Sequence, residues 1–250
     1  MLTPDPTAAS PAPPVDERET WRDRRNAADR LAAKADPALI GKAARLALGW
    51  RDPGLRREFL SRLLTEQALH AVACSGSAPI IDQVRAACCE LPPALQPVAL
   101  SRLFTPRALE ALLLAGDRLC LERAASDVAR SGDASTIGLI AQVACRASDA
   151  VRPGMLDALF APRALSTVVA ERQIAGISWM ADAAMRLPQA RRLAVLRQLG
   201  PSPDPDIHAS LPEVARRHWR QVLEGGAPTA QAGSAAASGV SPPARRGPEL

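Results

Sequence analysis

A ten-residue phrase that occurs three times limits the folds open to this chain. It reads Leu60-Ser-Arg-Leu-Leu-Thr-Glu-Gln-Ala-Leu69, then Leu100-Ser-Arg-Leu-Phe-Thr-Pro-Arg-Ala-Leu109, then Leu156-Asp-Ala-Leu-Phe-Ala-Pro-Arg-Ala-Leu165, with a shortened copy from Leu196. Leu60 and Leu100 are 40 residues apart, as are Leu156 and Leu196, and residues 68–103 laid without a gap on 164–199 give ten identities in 36 positions. Apolar seams recurring at that interval cannot be closed within one short segment, so successive segments must cover one another.

The residues available for a core decide what kind of segment this is. Tyr is absent and Phe numbers three, while hydrophobic residues make up 47% of the 250. Burial therefore rests on Leu, Ala, Val and Ile, a mixture suited to close helices and poor in the aromatic residues that sheets favour. Apolar residues recur at three-to-four spacing in Leu39, Ile40, Ala43, Ala44, Leu46 and Ala47, and again in Leu55, Phe59, Leu60, Leu63 and Leu64. Asp36-Pro37, Asp52-Pro53 and Thr105-Pro106 read as helix starts, and Ser75-Gly76-Ser77 as a stop.

These signals divide the chain into a disordered leader at 1–15, a helical domain at 16–224 and a disordered tail at 225–250. Within the domain the expected units are 27–64, 65–104, 105–160 and 161–200, followed by a capping helix at 209–224. The second unit shows the design most clearly: Thr65 caps a first helix, Ala78 to Leu91 forms a second and Pro92-Pro93 opens a third. The third unit, 56 residues against 40, carries a surplus of one helix and its turn. An apolar run long enough to span a membrane is not found, and neither is a signal-peptide pattern.

Catalytic and metal chemistry find little support. The His-Glu-x-x-His, Walker and Gly-x-Ser-x-Gly patterns are missing. His70 and Cys74 stand at i and i+4, the spacing a thiolate–imidazolium pair uses, but no orienting third residue can be named. Cys88 and Cys89 with that pair would make a metal quartet only if two adjacent helical residues turned the same way. Five cysteines in apolar stretches and no Cys-x-x-Cys read as core residues in a reducing cytosol. The expectation is a chain with no catalytic residue, no metal ligand and no cofactor.

Four residues stand out as candidate partner contacts. Trp179 aligns with Gln83 and Arg123, so a large ring replaces polar side chains; it is either an exposed anchor or a ring packed beneath the capping helix near Trp219. Trp50 is a weaker case of the same kind. Arg107 and Arg163 recur directly after the Pro that starts a helix, where the second unit has Gln67. The net charge is +5 and the cations are nearly all Arg, which leaves phosphate recognition open beside protein binding.

The joint of two leucines three apart followed by Ala-Leu, repeated every forty residues or so, resembles armadillo and HEAT-type repeats over about 27–200. That resemblance implies an all-α, right-handed helical-repeat solenoid of three to four units acting in protein–protein interaction. The Asn ladder by which armadillo proteins grip an extended peptide is lacking, since Asn26 is the only Asn. The Pro/Ser/Thr-bearing leader before a helical core is similar to bacterial proteins exported by type III secretion, which implies a secreted effector or a secretion accessory protein. The expected role is a non-enzymatic scaffold or adaptor, cytoplasmic in the producing cell or delivered to a host. The alternative is an Arg-mediated nucleic-acid binder, whose affinity would fall steeply with salt.

Overall fold

A computed structural model describes residues 17–200, and the leader, the capping helix at 209–224 and the tail lie outside that range. Among the described residues there are thirteen α-helices and no strand. They are α1 (Glu17–Lys34), α2 (Pro37–Leu48), α3 (Pro53–Leu63), α4 (Glu66–Ser75), α5 (Ala78–Cys88), α6 (Gln96–Leu103) and α7 (Pro106–Ala115). The remainder are α8 (Arg118–Ser131), α9 (Ala134–Arg146), α10 (Arg152–Leu159), α11 (Pro162–Ala170), α12 (Ile174–Ala184) and α13 (Gln189–Leu199).

The repeated phrase folds alike in its first two copies, and the third departs from them at Phe160, φ −92°, ψ 17°. Leu60, Leu100, Leu156 and Leu196 are all buried, and each offers its carbonyl to the amide four residues on, at 2.8–3.1 Å. The chain then leaves the helix through Leu64 at φ −89°, ψ 56° and through Phe104 at φ −87°, ψ 59°. Thr65, Thr105 and Ala161 follow in extended conformation, and the two threonine hydroxyls accept from the amides of Ala68 and Ala108, so that each starts the next helix. Of the ten identities found by alignment, the eight apolar pairs from Ala68/Ala164 to Leu103/Leu199 are buried on both sides and the remaining two, Pro92/Pro188 and Ala94/Ala190, are exposed on both.

A second regularity concerns the helices that begin after Asp36, Ser77, Asp117, Asp133 and Gln173, namely α2, α5, α8, α9 and α12. Counting from these N-caps, position +4 is Ile40, Ile81, Leu121, Ile137 and Ile177, all at most 2% exposed. Burying such a side chain contributes roughly 1.5–3 kcal/mol. Four of the five helices are entered through a left-handed residue: Ala35, Gly76, Gly116 and Arg172, with φ of 49°, 66°, 65° and 49°. Gly76 and Gly116 adopt that conformation without the Cβ clash that Ala35 and Arg172 must tolerate.

These helices cross one another in one register. Position +5 of the earlier helix faces positions +3 and +6 of the later one. A Cβ on Gly41 of α2 would lie 3.0 Å from Ile80 and 3.1 Å from Gln83 of α5, and one on Gly138 of α9 would lie 2.8 Å from Gly176 and 2.8 Å from Trp179 of α12. Between α5 and α8 the same place is held by Asp82, which meets the Cys120 thiol and, at 3.9 Å, Arg123. The row then breaks. Position +5 of α8 is Glu122, and it faces Gly154 of α10, so α9 begins a second row instead of continuing the first.

The surplus in the third unit is thus a doubled pattern, present in both α8 and α9. Sequence spacing located the extra helix between 105 and 160 without saying which it was. Two boundaries differ from expectation: α5 stops at Cys88 and not at Leu91, and Pro92-Pro93 does not open α6, because Pro92 to Leu95 forms a turn closed by the Leu95 amide on the Pro92 carbonyl at 2.8 Å, and the Gln96 side chain donates to the carbonyls of Cys89 and Leu91. At the start of the chain, Arg25 pairs with Glu58 and Arg62 with Asp29, fastening α1 to α3.

Candidate interaction surface

The four residues singled out by sequence lie apart from one another. Trp179 is half-buried, its ring edge against Gly138 of α9, and its counterparts Gln83 and Arg123 face Gly41 of α2 and Asp82 of α5. Position +6 is therefore an interhelical place in α5, α8 and α12. Trp50 is half-buried between Phe59, 4.8 Å away between ring centroids, and the Arg24 guanidinium 4.9 Å above its ring. Arg107 and Arg163 are exposed at the starts of α7 and α11, on separate helices.

Cys74 meets His70, and the remaining cysteines do not join them. Cys74 Sγ is 3.5 Å from His70 Nε2 at the surface of α4, whereas Cys89 turns to Asp127 and Cys120 to Asp82. Burial, reinforced by those carboxylates, pushes the Cys89 thiol up to about 11 and the Cys120 thiol to about 12. Burial acts likewise on Cys145, beside Asp182, which is raised to about 11, and on Cys88. Among the described residues no three His, Cys, Asp or Glu side chains stand together as metal ligands.

Sequence reading missed the charged junction around which those thiols gather. At +8 the row helices carry Ala44, Ala125, Ala141 and Ala181, all fully buried, but α5 carries Arg85. An unpaired guanidinium there would cost several kcal/mol. Asp82 receives its Nε at 2.8 Å, Asp127 of α8 receives Nη1, and Asp127 in turn pairs with Arg130. Burial alone would favour a neutral Arg85, and the two carboxylates outweigh it and hold the charge more firmly than usual. An arginine where the four other helices of this kind place alanine was a signal available in the sequence.

An open groove lies between α3, α4 and α6. Leu64, Leu69 and Leu91 form its floor, Leu95 and Val98 stand exposed at 46% and 58%, and Ser61 with the Glu66–Arg102 pair at 3.1 Å marks the edge; it encloses about 210 Å³. At the equivalent place 96 residues later, Ser61 and Leu95 are replaced by Asp157 and Arg191, whose ion pair at 2.5 Å bridges α10 to α13. The same local fold is thus closed by the Asp157–Arg191 pair in one half, whereas in the other the only pair among the groove's lining residues, Glu66–Arg102, stands at the edge and leaves Leu95 and Val98 exposed. No described helix is long and apolar enough to cross a membrane. Comparison with family models, with curated proteins and with solved structures finds no match to the chain.

Proposed function

We propose that the chain is a helical-repeat scaffold, a right-handed solenoid of three to four units, that binds a protein partner without catalysing a reaction. The observation that carries this reading is the groove between α3, α4 and α6, where Leu95 and Val98 remain in water while the equivalent joint carries the Asp157–Arg191 pair. Apolar side chains grouped beside a polar edge are the composition of a protein interface core and rim. The test places a photo-crosslinking residue at Val98 and, as a control, at exposed Arg57, and exposes the purified chain to an extract of its producing cell. A discrete polypeptide adduct from Val98 alone supports the reading, and equal or no adducts at the two sites overturn it.

Arg107 and Arg163 support the second reading, a nucleic-acid binder, because both guanidinium-bearing side chains are exposed at helix starts. It requires DNA or RNA affinity that falls with salt and weakens in the Arg107→Ala, Arg163→Ala double variant. Export as a secreted effector or accessory protein rests on the composition of residues 1–15 and is tested by fusing residues 1–20 to a secretion reporter.

A further inference from the structure

Among the described residues the crossing register leaves one docking ridge without a neighbour. In α5, α8 and α12 the ridge at +3, +6 and +10 lies toward α2, α5 and α9 respectively: Ile80, Gln83 and Ala87; Cys120, Arg123 and Asp127; Gly176, Trp179 and Ala183. The +10 residues of all three are buried. In α2, which heads the row, the same positions are Leu39, Lys42 and Leu46, exposed, with Leu39 at 39% and Leu46 at 59%.

From this geometry we infer that α2 docks a helix of a partner protein that carries a carboxylate where Asp82 stands in α5. This rests on the reading of the chain as a protein-binding scaffold and names the chemistry of the partner. The internal crossings supply the rule for the occupant. Where +6 is a guanidinium, Arg123, the facing +5 residue is Asp82 at 3.9 Å; where +6 is uncharged, Gln83 or Trp179, the facing residue is glycine. Lys42 at +6 is likewise a cation, so the residue that faces it is an acid. Leu39 and Leu46, one turn to either side, require an apolar seat of the kind that Ile80 and Ala87 find.

A second copy placed symmetrically is excluded by charge. Helix α2 contains Lys42 and Arg45 and no carboxylate, so two such faces would bring four cations together over their leucines.

The experiment uses the full chain and a hydrocarbon-stapled, fluorescent peptide copying residues 77–91 with Arg85→Ala, so that it presents the Asp82 carboxylate without a second cation. Anisotropy should show saturable binding that weakens about tenfold in Lys42→Glu. It should return when that variant meets the same peptide carrying Asp82→Lys. Leu46→Asp should abolish binding while leaving far-UV circular dichroism and the melting temperature unchanged, because Leu46 is exposed. Absence of binding, or binding indifferent to the charge exchange, overturns the inference. So does concentration-dependent self-association that Leu46→Asp removes, which would make a second copy the occupant. Vesicles of phosphatidylserine that bind the chain through Lys42 and Leu46 in place of the peptide would overturn it as well. Failure here would leave crosslinking at Val98 untouched, so the two readings fall separately.

Discussion

The indole of Trp179 rests on Gly138: a Cβ at that glycine would lie 2.8 Å from Cε3 of the ring and 2.8 Å from the Cα of Gly176. Backbone on one side and a large ring on the other leave α9 and α12 little room to give. Gly138→Ala should therefore destabilise the protein by about 1–3 kcal/mol, outweighing the roughly 1 kcal/mol that alanine gains in a helix. Gly41→Ala meets the methyl of Ile80 and the end of Gln83, both able to shift, and should fall within about 0.5 kcal/mol of the parent. Urea unfolding of the two variants checks the contrast, and equal midpoints would contradict it.

Arg85 joins α5 to α8 through carboxylates that have few other cations to turn to. Arg85→Ala should cost about 3 kcal/mol, since Asp127 is left 8% exposed and paired with Arg130 alone. Removing both members, Arg85→Ala with Asp127→Ala, should restore part of that loss, because alanine is the residue other row helices place at +8. A double-mutant cycle by urea denaturation reads the coupling, and a cycle that closes at zero would show the pair to be idle.

Thiol accessibility gives a prediction about pH. At pH 8 a thiol at about 11 is ionised in roughly one molecule in a thousand, so Cys89, Cys120 and Cys145 should resist iodoacetamide in the folded chain while Cys74, outside the core, is modified first. Their values are raised above the ordinary 9.0, so the neutral form is favoured by folding. Their contribution to stability is complete below pH 9 and is lost as pH rises through about 11 to 12. Peptide mapping after labelling, with thermal melts from pH 7 to 11, tests both statements.

Ala161 occupies an N-cap at φ −64°, ψ 147°, close to the angles of Thr65 and Thr105, but has no side-chain oxygen. Ala161→Thr should add about 0.5–1 kcal/mol, and Thr105→Ala should remove about as much. Differential scanning calorimetry of the pair would show shifts of opposite sign; a destabilised Ala161→Thr would mean that the third joint differs from the first two at its cap as well.

Much of the helical arrangement was legible because the joints announce themselves. Leu60, Leu100, Leu156 and Leu196 recur at fixed intervals, and Asp-Pro, Thr-Pro and Gly mark the ends between them. The pairing of side chains across helices was harder to read. Gly41 and Gly138 lie within helices, where a glycine merely lowers helix propensity, and only the neighbouring helix shows why each is there. Trp179 drew attention as a ring among polar counterparts, yet its meaning depended on the residue opposite, which no single-helix pattern contains. The Arg85 network escaped notice because Asp127 is 42 residues away and matches no motif.

Asp82 has a further bearing on how the chain assembles. Five helices bury a large aliphatic residue at the same place, so that residue alone does not distinguish one seat from another. A glycine on α5 would admit the indole of α12 as readily as α9 does, skipping everything between. A carboxylate there welcomes a guanidinium and repels an unpaired ring by the cost of drying its charge. One acidic side chain thereby favours α8 over α12 as the neighbour of α5.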